Sequence, residues 1–309
     1  MRVAAILGLG ASEKDLKPFQ LASSAIWAIG MPADSAASDA ILVFGGDGTI
    51  HRHLAQLVEL NLPVLTVPCG SGNDFARALT MSSVNDAIAA WRGFCSGAQN
   101  VKTVDLGVIA ALAACETVPL KDSLRCSMPG THHYFCSVGG VGLDAATARR
   151  SDHLPRWLRG HGGYALSLPG ALSRFTAQRV KISLPIAGQP DQFEVHDDRV
   201  VMLTAFANTR AYGGGMKIAP RAQMDDGQLD ICVIRKMGKL KLFCLFPTVY
   251  FGRHLNVRQV DYFQASRLRL ETEVPLEVYA DGEYVCRTPI EVSVAPGALR
   301  VILRPEASF

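Results

Sequence analysis

Three aspartates stand directly before glycines in this chain, at Asp47-Gly48, Asp226-Gly227 and Asp281-Gly282. The first lies in Phe44-Gly45-Gly46-Asp47-Gly48-Thr49, after an apolar run and before a helix-like stretch. Glycines in such a turn let the backbone approach a phosphate, and amides at a helix N-terminus favour an anion. At the carboxyl end of its strand, Asp47 could reach a metal ion or order water beside phosphates. Thr49 could cap the helix or bind a phosphate oxygen. A tight strand-to-helix turn would explain one glycine pair; three glycines around one aspartate favour the phosphate. A second loop, Pro68-Cys69-Gly70-Ser71-Gly72-Asn73-Asp74-Phe75-Ala76, again follows a strand and opens a helix. Ser71 could donate to a phosphate, and Asn73 or Asp74 could cap the helix. In an open α/β sheet, loops at the carboxyl ends of neighbouring strands face one crevice, where ligands bind.

The other two carboxylates sit in turns. Asp281-Gly282 between apolar segments is the signal of a two-residue type I′ hairpin, and Asp225-Asp226-Gly227-Gln228 is a turn between strands. Histidines add little. His51 and His53 fall on different faces of a helix, and His132-His133 lies in a loop, so neither pair suggests a metal site.

The elements that must position these groups fall into two textures. Up to about Lys102, apolar runs at 3–7, 40–44 and 63–67 suggest buried parallel strands, with helices over 15–29, 49–60 and 73–79 between them. Beyond Val104 the pattern is strand-rich, at 134–138, 180–184, 199–207, 229–235, 267–271, 276–280, 284–286 and 299–303. The expected fold is an α/β N-terminal nucleotide-binding domain plus a larger β-rich, antiparallel C-terminal domain. The domain expectation is 1–103 and 104–295. A length of 309 residues and 49% hydrophobic composition suit two domains with large cores. A net charge of +3, from 31 basic and 28 acidic residues, argues against a dedicated nucleic-acid binder. No apolar run approaches the length of a spanning helix, and a first buried strand explains 3–9 better than a signal peptide. Eight cysteines without a CxxC pair suggest reduced core residues of a cytoplasmic protein.

The pairing of Gly-Gly-Asp-Gly-Thr with Pro-x-Gly-x-x-Asn-Asp-Phe-Ala resembles the diacylglycerol kinase catalytic-domain family, which includes bacterial lipid kinases, sphingosine kinases and ceramide kinases. Val104-Asp105-Leu106-Gly107, Gly139-Gly140-Val141-Gly142, Asn208, the run from Gly213 to Pro220, Asp226 to Asp230 and Asp281-Gly282-Glu283 extend the match in order. The resemblance implies ATP, Mg2+ and an NAD kinase/diacylglycerol kinase-like fold in which 296–309 returns to the first domain. It implies that Asp281 is the general base for a lipid hydroxyl attacking the γ-phosphate, that Glu283 orients the base or a magnesium ion, and that Asp47 assists. Gly45, Gly46, Asp47, Gly48, Thr49, Ser71, Asn73 and Asp74 would bind the nucleotide. Asp226, with the carbonyls of Gln223 and Gln228, would hold a structural magnesium. The acceptor expected first is diacylglycerol, giving phosphatidic acid, at the inner membrane surface, with a homodimer left open.

Two departures stand out. His51 and Arg52 replace the family's usual asparagine and glutamate, and Gly8-Leu9-Gly10-Ala11-Ser12 replaces its usual first loop, as though a strand-helix unit had been trimmed. The segment 149–181, with Arg149, Arg150, Arg156, Arg159, Arg174, Arg179 and Lys181 around Leu154, Trp157 and Tyr164, suits an anionic membrane as well as it suits a solvated helix pair. Lys236, Lys239 and Lys241 beside Phe243, Leu245 and Phe246 offer a second contact. Competing readings are an NAD kinase- or 6-phosphofructokinase-like kinase of a soluble substrate, and a non-catalytic lipid-binding relative.

Overall fold

The computed structural model describes residues 1–113, 131–143, 147, 170, 172 and 175–305. These residues form two compact units, Met1–Leu106 with Gln223–Asp226 and the chain from Pro296 onward, and Gly107–Ala222 with Gly227–Ala295.

The first unit contains β1 (Arg2–Leu7), a 3-10 turn at Glu13–Leu16, α1 (Lys17–Gln20), β2 (Ile26–Ile29), β3 (Ala40–Gly45), α2 (Asp47–Leu60), β4 (Val64–Pro68), α3 (Asp74–Ala78), α4 (Val84–Cys95) and the start of β5 (Val101–Ala111). Strands β2, β1, β3 and β4 lie side by side, all parallel. The chain's last strand, Ile290–Ile302, joins β4 in parallel at Val301↔Val64. Every residue of β3 is buried, which is why that strand appears in sequence as an unbroken apolar run. Ile50, Leu54 and Leu57, spaced by four and three, form the buried stripe of α2. Around Trp91 of α4, an edge-on contact to Trp27 and a hydrogen bond from the indole to the Phe19 carbonyl (3.1 Å) close one side of the core.

The helix expected over 15–29 is not formed. The 3-10 turn and α1 end at Gln20, and Ile26-Trp27-Ala28-Ile29 is an edge strand in register with Arg2 to Ala5. Three aromatic or β-branched residues in four, with a strand to pair with, outweigh the alanines before them. This strand matters for function, because the chain lays β2 on one side of β1 and β3 on the other. The strand order reverses between β1 and β3, and ligands bind beyond the carboxyl ends of strands at such a reversal.

The second unit contains β6 (His132–Phe135), β7 (Val138–Gly142), β8 (Gln178–Ile186), β9 (Gln189–Ala207), β10 (Leu229–Arg235), α5 (Lys239–Val249), a 3-10 turn at Arg253–Asn256, β11 (Val260–Ala265), β12 (Arg267–Thr272), β13 (Glu277–Ala280), β14 (Glu283–Arg287) and most of β15 (Ile290–Ile302). Pairing is antiparallel in the order β14-β13-β7-β9-β8-β12-β15, and β10 lies between β9 and β11. Alternate residues of β10 enter two apolar clusters, Leu229, Ile231 and Val233 one and Cys232 and Ile234 the other. His132 and His133 lie on β6 rather than in a loop. The strand expected over 134–138 is broken at Cys136 and Ser137, which separate β6 from β7. Among the described residues no helix is long and apolar enough to cross a membrane.

The capping box at the start of α4 was legible as Ser83-x-x-Asp86, although no helix was expected there. The Asp86 carboxylate accepts from the Ser83 and Ser82 amides at 2.9 and 3.1 Å, and Ser83 Oγ accepts from the Asp86 amide at 3.2 Å. Hydrogen bonding from the Ser83 side chain, helped by the Ser83 and Ser82 amides and the charge of Arg304, outweighs the opposing effect of burial and holds the Asp86 carboxyl below the usual range. Ser83→Ala should cost about 1 kcal/mol in denaturant unfolding. A carboxyl lowered in the folded state stabilises above its unfolded pKa and stops doing so as pH falls through the folded one. The deficit of Asp86→Asn should therefore be full at pH 7 and shrink as pH drops below the ordinary value of 3.8.

Candidate active site

Two clusters of expected residues are built, one in each unit. In the first unit, α2 begins at Asp47 itself, with Gly46 as its extended N-cap. The Asp47 carboxylate turns across to the second loop. There Oδ2 accepts from the Asp74 amide at 2.9 Å and Oδ1 from the Phe75 amide at 3.0 Å. These are amides of the first turn of α3, which have no partner within the helix. Asp47 is thus a long-range cap that ties the loop after β3 to the loop after β4.

The glycines make that approach feasible. A Cβ on Gly70 would strike Gly46 Cα, and one on Gly72 would sit 2.7 Å from Asp47 Oδ2. Gly45 and Gly8 both leave room for the Thr49 side chain, and the Gly8 amide donates to the Phe44 carbonyl at 2.7 Å. Thr49 is therefore not a side-chain cap: it fills the space between the loop after β1 and its own turn. Neither Asn73 nor Asp74 caps α3 through its side chain. Asn73 adopts the left-handed conformation at φ 57°, and its amide group turns back on Gly70, accepting from its N–H at 3.0 Å and donating to its C=O at 2.7 Å. Asp74 pairs with Arg77 at 2.6 Å. Ser71 is exposed, as is Arg52, and His51 is half-buried. Burial, followed by the charge of Asp15, raises the Cys69 thiol pKa, so this cysteine stays protonated beside the loop. What remains at the carboxyl ends of β1, β3 and β4 is a surface of glycine backbone and the N-terminus of a long helix, suited to an anion with several oxygens.

In the second unit, Asp281 and Gly282 form the two-residue turn between β13 and β14, both with positive φ (52° and 84°), as a type I′ hairpin requires. The turn is anchored from β7, for the Asp281 amide donates to the Val138 carbonyl at 3.0 Å. Its carboxylate fills the break between β6 and β7. Oδ2 accepts from the Cys136 amide and Oδ1 from the Ser137 amide, each at 2.8 Å, and the Cys136 thiol donates to Oδ2 at 3.3 Å. Asn208 braces the same break from β9. Its side chain donates to the Cys136 carbonyl at 3.1 Å and its amide to the Ser137 carbonyl at 2.8 Å. Glu283, first residue of β14, is exposed beside the half-buried Asp281. A carboxylate so held keeps a fixed direction.

Gln223, Asp226 and Gln228 lie on one bend, where Gly227 has φ 70° and Asp226 is exposed. Among the described residues no group of three His, Cys, Asp or Glu side chains could hold a metal. One carboxylate with backbone carbonyls is still a donor set that magnesium accepts when water completes its shell. Asp105 and Asp230, within the motifs quoted above but without a role there, steady this bend and the strand after it. Asp105 donates its amide to the Met224 carbonyl at 2.6 Å and accepts from the Gly297 amide at 2.7 Å. Asp230, fully buried on β10, accepts from the Tyr262 hydroxyl at 2.6 Å. A charged residue inside an otherwise apolar strand was the available signal for it. The glycine-rich run before Pro220 places Met216 and Ile218 in an apolar cavity with Leu143, Met202, Leu242 and Phe246.

Two family models match the chain, the diacylglycerol kinase catalytic domain over residues 24–109 and the YegS C-terminal NAD kinase beta sandwich-like domain over residues 137–303. The chain belongs to the diacylglycerol kinase-like family of lipid kinases. A diacylglycerol kinase of Mycobacterium tuberculosis is 32% identical over 274 residues, covering 87% of this chain and 77% of the relative. A diacylglycerol kinase of Bacillus subtilis is 26% identical over 249 residues, 80% of this chain and 71% of the relative. The crystal structure of a Bacillus anthracis diacylglycerol kinase shares the fold, with a TM-score of 0.66 at 21% identity over 99% of this chain and 98% of that one. Both the α/β region and the larger antiparallel region are as expected for this lipid kinase family.

The clasp makes a direct prediction. Asp47→Ala should free the start of α3, so that hydrogen exchange at the Asp74 and Phe75 amides accelerates at least about tenfold while the strand amides of β3 keep their protection.

Proposed function

We propose that this family member transfers the γ-phosphoryl group of ATP to the free hydroxyl of a membrane diacylglycerol, giving phosphatidic acid. The observation that carries the reading is the fixed Asp281 carboxylate, aimed from a rigid hairpin and held on both oxygens by backbone amides. Those amides fix where its two oxygens lie. Phosphoryl transfer passes through a loose transition state in which the hydroxyl proton leaves late, so position counts for more than basicity. Asp281 would accept the proton of the lipid hydroxyl as its oxygen bonds to the γ-phosphorus and the bond to the β-phosphate oxygen breaks. Glu283 would keep the local potential negative and steady that proton.

In the first unit, the loops after β1, β3 and β4 would receive the ATP phosphates on glycine amides and on the α2 N-terminus. Asp47 then acts by holding the two loops at the right separation. Magnesium would supply charge neutralisation for the phosphates and, at Asp226 with the carbonyls of Gln223 and Gln228, stiffening of the bend. Reaching diacylglycerol requires attachment to the inner membrane surface. Of the basic segment 149–181, residues 149, 150, 156, 159 and 174 lie outside the described residues. The described Arg179 and Lys181 pair instead with Asp198 and Glu271 on neighbouring strands.

Asp281→Asn should still fold, with a lower melting temperature because one of the Cys136 and Ser137 amides loses its acceptor. It should leave ATP affinity unchanged and lower turnover of diacylglycerol by roughly 100- to 10,000-fold. The assay is transfer of labelled phosphate to a lipid panel, with NAD as a soluble control. Turnover within a factor of a few of the parent removes Asp281 as base, and phosphorylation of NAD instead of lipid overturns the whole reading.

A further inference from the structure

Helix α5 is apolar on two opposite sides. Leu242, Leu245 and Val249 point into the second unit and are buried. Leu240, Phe243 and Pro247 follow at i, i+3 and i+7, and Phe251 continues the same line just past the helix end. That second stripe faces solvent, with Leu240 77%, Phe251 74% and Phe243 49% exposed. A surface helix ordinarily turns charged residues outward. Here Lys239 and Lys241 stand about a hundred degrees to either side of Leu240, flanking the stripe. The charge along this stretch of chain has one sign. From Ile231 to Val260 the chain carries Arg235, Lys236, Lys239, Lys241, Arg253 and Arg258 and no acidic residue at all. All of these except Arg235 are exposed.

We propose that the outer face of α5, from Lys236 to Phe251, is the surface by which this protein docks on anionic lipid. Leu240, Phe243 and Phe251 would enter the headgroup boundary, while Lys236, Lys239 and Lys241 keep their ammonium groups among the lipid phosphates with their stems along the apolar stripe. A nucleic acid or an acidic protein would satisfy the charge but leaves two phenylalanines and a leucine without a partner. A second copy of the chain would bring six like charges together. Leu245, which the sequence placed in this contact, is buried and belongs to the seat of the helix. The inference rests on the lipid kinase reading for its purpose, and its test is separable from that reading.

The test uses the full chain with sedimenting vesicles of phosphatidylcholine alone or mixed with phosphatidylglycerol. The parent should bind the mixed vesicles, lose binding as salt is raised, and bind neutral vesicles at least about tenfold more weakly. Leu240→Ser/Phe243→Ser and Lys236→Glu/Lys239→Glu should each lower partition onto mixed vesicles about tenfold or more. Both variants should keep the parent's melting temperature and its turnover of a monomeric short-chain diacylglycerol in solution. Variants that bind mixed vesicles as the parent does overturn the docking face, and so does a parent that is a dimer converted to monomer by the serine substitutions with vesicle binding unchanged. A parent that binds through this face yet phosphorylates no lipid overturns the reaction and leaves the docking face standing.

Discussion

Backbone amides left over where regular structure stops govern the functional half of each unit. A buried N–H without a partner costs about as much as a lost hydrogen bond, so every interrupted element must find an acceptor. In this chain the acceptor is repeatedly an aspartate from far along the sequence. Asp47 takes the two amides at the start of α3, Asp281 takes the two at the break between β6 and β7, and Asp105 takes the Gly297 amide. The strand break and the carboxylate imply each other. Without the break there are no free amides to aim Asp281, and without Asp281 the break is an unpaid debt in the sheet. One set of hydrogen bonds therefore both completes the fold and fixes the direction of the Asp281 carboxylate.

The same logic places the glycines. Around Asp47 they are required by protein meeting protein, since Gly46 and Gly70 touch backbone to backbone and Gly72 lies against the Asp47 carboxylate. The bare amide surface offered to a phosphate is a product of that close packing. A side chain at Gly70 would widen the loops before it ever met a ligand.

Much of this was legible from residue types at short range. The apolar runs of β1, β3 and β4, the Asp-Gly turn at 281–282 and the strand-glycine-helix sequence all depend on neighbours in the chain. What stayed hidden depends on partners far away. Nothing near Asp47 announces that the amides donating to it lie 27 and 28 residues on. The segment 134–138 looks like one strand because the cause of its interruption is 145 residues downstream. Edge strand β2 was taken for helix because its pairing with β1, rather than its own composition, decides its state.

That separation also has a temporal side. Synthesis proceeds at roughly 5–20 residues per second, so the 145 residues between Cys136 and Asp281 take roughly 7–29 s to appear. Through that interval the amides of Cys136 and Ser137 have no carboxylate, and β7 lacks the neighbour it will have in β13. A chain still being made already carries its phosphate-type loops, which are complete by residue 76, but lacks Asp281, the carboxylate proposed as the base. The proposed chemistry switches on only when the last hairpin closes, which keeps an unfinished chain from spending nucleotide.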